Sequence, residues 1–286
     1  MSESTAELVQ IAALPVADRA AALAKLASTW RGSPDVPVSA LAPMLVDAVE
    51  SGAGEREHRL ILGLWLGEVG DPRVLTPEDA DYWRRVDVDG VSVQVGQFPV
   101  TNFEFRRFVD AGGYDQPQVW SDEGAAWLRE TNDPWPVRAN APDARPFLAP
   151  NQPVVAVSFH EAAAYARWAK ARLLRFDERL AVVRGVEKRP YPWGSPFNAG
   201  CAATREEVLS HPVAVGLYVR DATPEGVRDL GGNVAEWAAD GHAGSSWISP
   251  GAWNQPSMAS WAKAREFFDR GTRSPALGLR LARDDG

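Results

Sequence analysis

Gly226-Val227-Arg228-Asp229-Leu230-Gly231-Gly232-Asn233-Val234-Ala235-Glu236-Trp237 sets two adjacent glycines among charged, amide and apolar side chains. Paired glycines open backbone angles closed to other residues, so the run reads as a tight loop folded around itself or around a ligand. Asn233 and Glu236 are hard oxygen donors, the type that calcium takes together with backbone carbonyls. Two readings stand side by side. Either Asn233 and Glu236 hold calcium, or Asn233 caps a turn and Glu236 pairs with an arginine in the core.

On both sides of this run the chain keeps a loop-rich texture. Tyr191-Pro192-Trp193-Gly194 precedes it, and Gly244-Ser245-Ser246-Trp247 and Leu277-Gly278-Leu279-Arg280-Leu281 follow it. Val91, Val93 and Val95 alternate with Ser92, Gln94 and Gly96, which predicts a half-buried strand. Asn102 to Val109 predicts a helix capped by Thr101 or Asn102, with Phe105 and Phe108 facing inward. A second helix is expected from Ser158, spaced from Glu161 as a capping box requires, to about Arg172. Gly112 to Pro153 and most of the chain after Pro190 read as loop. Twelve Trp residues suit such an architecture, because an indole buries a large area while its N–H reaches a carbonyl. The expected class is α+β, held by loop packing.

Residues 1–80 have a different texture. Leu8, Ile11 and Leu14, then Leu23 and Leu26, recur at helical spacing, with Pro15 starting a new turn. Leu41, Met44, Leu45, Ala48 and Val49 form a second apolar stripe, and Leu60, Leu64 and Trp65 a third, stopped by Gly70-Asp71-Pro72. The expected organisation is a helical subdomain over 1–80 and a second domain over 81–286.

Composition narrows the function classes. With 45% hydrophobic and 24% charged residues, the 286-residue chain can bury a sizeable core. A net charge of −8 argues against nucleic acid as a partner, since phosphates demand clustered Lys and Arg. Cys201 is the only cysteine, so neither a disulfide within the chain nor a Cys-based zinc site can form. Met1–Gln10 carries Glu3 and Glu7 without a basic stretch, and no apolar run reaches eighteen residues. No membrane partner and a cytoplasmic location are therefore expected.

The motifs above occur together with Phe98-Pro99-Val100-Thr101-Asn102, Gly112-Gly113-Tyr114 and Asn151-Gln152-Pro153-Val154-Val155. In this order, over about residues 86–283, they resemble the sulfatase-modifying-factor family. That family includes formylglycine-generating enzymes, ergothioneine-type sulfoxide synthases and retroelement-diversified ligand-binding proteins. The resemblance implies a C-type-lectin-like fold with little regular secondary structure. It also implies calcium near Asn233 and Glu236, whereas a second calcium region after Tyr-Pro-Trp-Gly has Ala202 where the family offers an Asn. Formylglycine-generating enzymes hold copper with two cysteines between the Gly-Ser-Trp and Gly-Phe-Arg motifs. This chain has none between Trp247 and Gly278, and Leu279 stands where Phe is usual. Sulfoxide synthases hold iron through a helical His-x-x-x-His-x-Glu run, whereas His58, His160, His211 and His242 are dispersed here. Neither copper nor iron is expected.

The resulting expectation is a non-catalytic module that binds a protein or small ligand. In C-type-lectin-like domains the loops before the last strand present ligand-binding groups. Here they would be Trp253, Asn254, Gln255, Trp261, Lys263, Arg265 and Phe268. A divergent metal-dependent oxidoreductase, and a subunit docking through its helical N-terminus, are the alternatives.

Overall fold

The computed structural model describes residues 3–132 and 134–284. Four helices come first: α1 (Glu3–Ala12), α2 (Val16–Trp30), α3 (Val38–Glu50) and α4 (Arg56–Val69). They follow the apolar spacing, with Pro15 at the start of α2 and Gly70 at positive φ at the end of α4. Leu23, Leu41, Leu45, Leu62, Trp65 and Leu66 fill their common core. That core does not close on itself. Ala203, Val213, Leu217 and Tyr218 from the second half of the chain complete it.

The remainder builds two four-stranded sheets. Strands β1 (Trp83–Val88) and β2 (Val91–Gly96) form a hairpin whose turn is Asp89-Gly90, both at positive φ. An Asp-Gly pair is a favoured occupant of such a turn, because its twist matches that of the strands. Helices α5 (Asn102–Asp110), α6 (Asp122–Glu130), α7 (Trp135–Arg138), α8 (Phe159–Trp168) and α9 (Phe176–Arg184) follow, with β3 (Arg172–Leu173) between the last two. Strands β4 (Ala235–His242), β5 (Ser245–Ser249), β6 (Glu266–Asp269), β7 (Leu277–Gly278) and β8 (Leu281–Asp284) end the chain. The sheet orders are β1-β2-β8-β3 and β6-β5-β4-β7. The closing segment thus belongs to both sheets: β7 runs parallel to β4, and β8 runs antiparallel to β2 and β3.

The expected Ser158–Glu161 capping box is present, and Thr101 caps the first helix in a box with Glu104. Glu104 accepts from Thr101 N at 2.8 Å, and Glu161 accepts from Ser158 N at 2.8 Å. The second helix stops at Trp168 rather than near Arg172. Lys170 takes a left-handed turn there, so that Arg172 and Leu173 can pair with β8. Loop was expected over 112–153, yet α6 and α7 lie within it. The core between the helices and β4 packs Phe105, Phe108, Trp135, Tyr165 and Trp237. Phe105 meets the rings of Phe108, Trp135 and Tyr165 at centroid separations of 5.0–5.5 Å. Among the described residues, no helix is long and apolar enough to cross a membrane.

Candidate functional site

The glycine-rich run is an internal fastening. The paired glycines Gly231 and Gly232 do not use left-handed angles; within the run those fall on Gly226, Asp229 and Asn233. Gly232 is required by close approach instead, because a Cβ there would lie 2.5 Å from the Ala203 carbonyl oxygen. The original expectation of special glycine angles is corrected on this point. Asn233 spans the backbone of Val213, accepting from its N–H at 3.0 Å and donating to its carbonyl at 3.2 Å. Its own carbonyl accepts from Trp253 N at 2.9 Å. Glu236 meets Arg280, which is fully buried, at 2.8 Å. The other guanidinium protons of Arg280 go to the carbonyls of Gly96, Gln97, Arg228 and Asp229. Arg280 lies between β7 and β8, so it ties the two sheets together where the chain crosses from one to the other.

The donors for calcium are therefore engaged by protein groups, the amide of Asn233 on both sides and the carboxylate of Glu236 by a cation. Among the described residues, no three His, Cys, Asp or Glu side chains gather as a metal site would require. Two buried carboxyls do lie beside the run. Burial, and then the charge of Asp229, pushes Asp221 up to about 8, and burial raises Asp229 as well. Asp221 accepts from Gly231 N at 2.9 and 3.0 Å.

A sizeable concavity lies near this fastening. Residues 134–148 arch over the start of α5 and enclose a cleft of about 400 Å³, within the range of small-molecule sites. Its lining includes Asn102, Trp135, Phe147, Leu148, Val155 and Pro275, with Arg138 and Asp143 exposed at the rim. Trp135 is held from two sides. Its backbone N–H donates to Glu161 at 2.7 Å and its indole N–H to the Val155 carbonyl at 3.1 Å. Phe147 lies 6.5 Å from the Trp253 ring and 6.1 Å from the His211 ring, centroid to centroid. The indole N–H of Trp253 donates to the carbonyl of Pro275, which itself lines the cleft. His211 Nδ1 lies 2.8 Å from the Pro212 carbonyl and 3.2 Å from Gln152 Nε2.

The seven residues expected to present a ligand surface have different surroundings. Trp253 is half-buried beside the cleft, with Asn254 and Gln255 following it, also half-buried. The Gln255 carbonyl accepts from Arg205 N at 2.9 Å. Trp261, Lys263 and Arg265 are exposed, and Arg265 sits over the Trp247 ring at 4.3 Å. Phe268 turns to the core, edge-on to Trp237. Trp135, Asn102 and Phe147 were not anticipated as site residues. The one available signal was the density of Pro over 134–148, and Asn102 reads from the sequence only as a helix cap. His160 is buried against Trp127 as a packing residue, and burial depresses its pKa. Cys201 is fully buried and free.

Comparison with known proteins gives this geometry its context. The family model described as a sulfatase-modifying factor enzyme 1-like domain matches residues 80–285. The chain belongs to this family. The sulfatase-modifying factor match begins just after the four N-terminal helices and includes every residue of the cleft. The hercynine oxygenase of Mycolicibacterium smegmatis is 36% identical over 163 residues, covering 53% of this chain and 38% of that protein. The formylglycine-generating enzyme of Thermomonospora curvata is 27% identical over 179 residues, covering 51% of this chain and 59% of that one. The chain thus spans less than two thirds of either relative. PvdO from Pseudomonas aeruginosa superposes with a TM-score of 0.52 at 20% identity, over 71% of this chain and 91% of PvdO, which supports the C-type-lectin-like fold.

Proposed function

We propose that this chain is the substrate-holding domain of a metal-dependent oxidoreductase of the sulfatase-modifying factor family, and that the cleft under residues 134–148 receives the substrate. The observation that carries the proposal is the cleft itself: a recess of about 400 Å³ with aromatic walls, beside the loop that bears Trp253. Similarity to hercynine oxygenases favours oxidoreductase chemistry over a purely non-catalytic module. The described residues hold no preformed ligand set for a redox metal. Cys201 is alone and buried, and the described residues offer no His, Cys, Asp or Glu trio. In this reading the chain binds and orients the substrate, and its metal ligands gather only when the metal binds.

A second reading rests on a specific feature. The 247–278 segment has no thiol, so the scaffold would bind its ligand and leave it unchanged. Calorimetric titration with hercynine, followed by dioxygen uptake with ferrous iron and cysteine, separates the two. The proposal expects binding that Ala144→Trp abolishes, with uptake above the iron-only rate. Binding without uptake favours the second reading. If hercynine does not bind, hercynine is excluded as substrate and the relatives' names do not transfer.

A further inference from the structure

Glu161 is 0% exposed, and four segments of the chain converge on its carboxylate. Oε1 accepts from the Trp135 backbone N–H at 2.7 Å and from the Tyr114 hydroxyl at 2.8 Å. Oε2 accepts from Ser158 N at 2.8 Å, from Ser158 Oγ at 2.9 Å and from Arg273 Nε at 3.2 Å. A capping box needs only the Ser158 pair. The other three donors come from 26, 47 and 112 residues away, so capping does not account for them. Two of them lead to the cleft. Trp135 lines it, and so does Pro275, two residues after Arg273. Val155 and Ala156, also in the lining, close the circuit: the Val155 carbonyl accepts from the Trp135 indole, and Ala156 N donates to the Ser274 carbonyl at 3.0 Å. Between its ends the arch over the cleft is tied to itself. The backbone N–H groups of Val137, Arg138, Ala139, Asn140 and Ala141 all donate to carbonyls within 134–138.

We infer that Glu161 is a positioning residue for the cleft: one carboxylate fixes the start of the arch at Trp135 and the segment that carries Pro275, and so keeps the arch seated over the ligand space. The inference rests on the reading of the cleft as the substrate site and names the residue that sets its shape. A carboxylate suits the place because all five contacts are donors and an ionised carboxyl group only accepts. A glutamine there must turn its NH2 toward one group of donors. On the Oε2 side it would meet the N–H groups of Ser158 and Arg273, which cannot reverse. On the Oε1 side the Tyr114 hydroxyl can rotate to accept, so the NH2 settles there and is set against the Trp135 N–H. Glu161→Gln therefore releases Trp135 and keeps the cap.

Amide hydrogen exchange of the full chain tests this, because it separates local opening from loss of the whole fold. In Glu161→Gln the amides of Trp135 and residues 137–141 are expected to exchange at least about tenfold faster, the factor lost with a hydrogen bond to a charged group, while those of α8 and β4 change by less than about threefold. Ser158→Ala weakens the cap of the same helix and leaves the Trp135 bond in place, so its arch is expected to exchange within about twofold of the unaltered protein. Acceleration spread equally over the arch, α8 and β4, or repeated in Ser158→Ala, would make Glu161 a fold-holding residue only and overturn the inference. If Glu161→Gln does not fold, the unaltered protein decides: the Trp135 amide is expected to exchange as slowly as those of α8, and one as fast as 137–141 overturns the inference. Hercynine calorimetry on the same samples is expected to show affinity at least about tenfold weaker in Glu161→Gln; unchanged affinity with a faster arch overturns the positioning role. If hercynine does not bind the unaltered protein, hercynine falls as the substrate, and exchange alone decides whether Glu161 seats the arch.

Discussion

Arg280 illustrates how far a single side chain can hold this fold. Buried ion pairs add little net stability when complete, yet removing one partner strands the other. Arg280→Ala would leave Glu236 and four backbone carbonyls without their donor, at a cost of about 3–5 kcal/mol. Denaturant unfolding would measure this, and a cost below about 1 kcal/mol would contradict the account. Asp221 and Glu104 act on pH dependence. Burial holds them up to about 8 and about 7, whereas in the unfolded chain both ionise in the ordinary carboxylate range. A group whose pKa is raised by folding contributes fully at low pH, and that contribution is lost as pH rises through the folded value. Stability should therefore fall between about pH 4.5 and pH 8. Asp221→Asn should flatten the fall, measured as thermal midpoints across that range; a slope parallel to that of the unaltered protein would refute the assignment.

At the level of elements, the sequence was most legible where local chemistry is self-sufficient. Thr101 with Glu104 and Ser158 with Glu161 mark helix starts within three residues of chain, and both helices begin there. Ser158→Ala should cost about 1 kcal/mol, read from chemical denaturation, since it removes a cap on a helix at the centre of the core. Strands β4 to β7 carried no such mark. Ala235-Glu236-Trp237 lies in β4 because Arg280 and the parallel partner β7 meet it from more than forty residues away, a pairing that spacing cannot disclose. Helices α6 and α7 were hidden for the opposite reason: α7 is a single turn, and Trp127 and Trp135 are placed by contacts with Arg273 and Glu161 from distant parts of the chain. The same holds for the cleft. Asn102 is readable as a helix-start residue, but its exposure to a cavity depends on where Phe147 and Ala149 return.

Across the whole molecule, the four N-terminal helices and the sulfatase-modifying factor domain share one apolar core. Val213, Leu217 and Tyr218 are buried to within a few per cent against α2 to α4. Glu50 at the end of α3 also pairs with Arg228 at 2.8 Å and Arg73 at 2.6 Å. Removing residues 1–70 should therefore lower the thermal midpoint and raise binding of an apolar fluorescent dye; an unchanged midpoint would show that the helices are an independent appendage. The same architecture ties Asn233 to Trp253 through a backbone bond of 2.9 Å, so the buried run positions Trp253 beside the cleft. The indole N–H groups report on this directly. In ¹H–¹⁵N spectra of the full chain titrated with hercynine, the resonances of Trp135 and Trp253 should shift while those of Trp247 and Trp261 stay in place. Shifts confined to Trp247 and Trp261 would move the binding site to the exposed β5–β6 face and contradict the account.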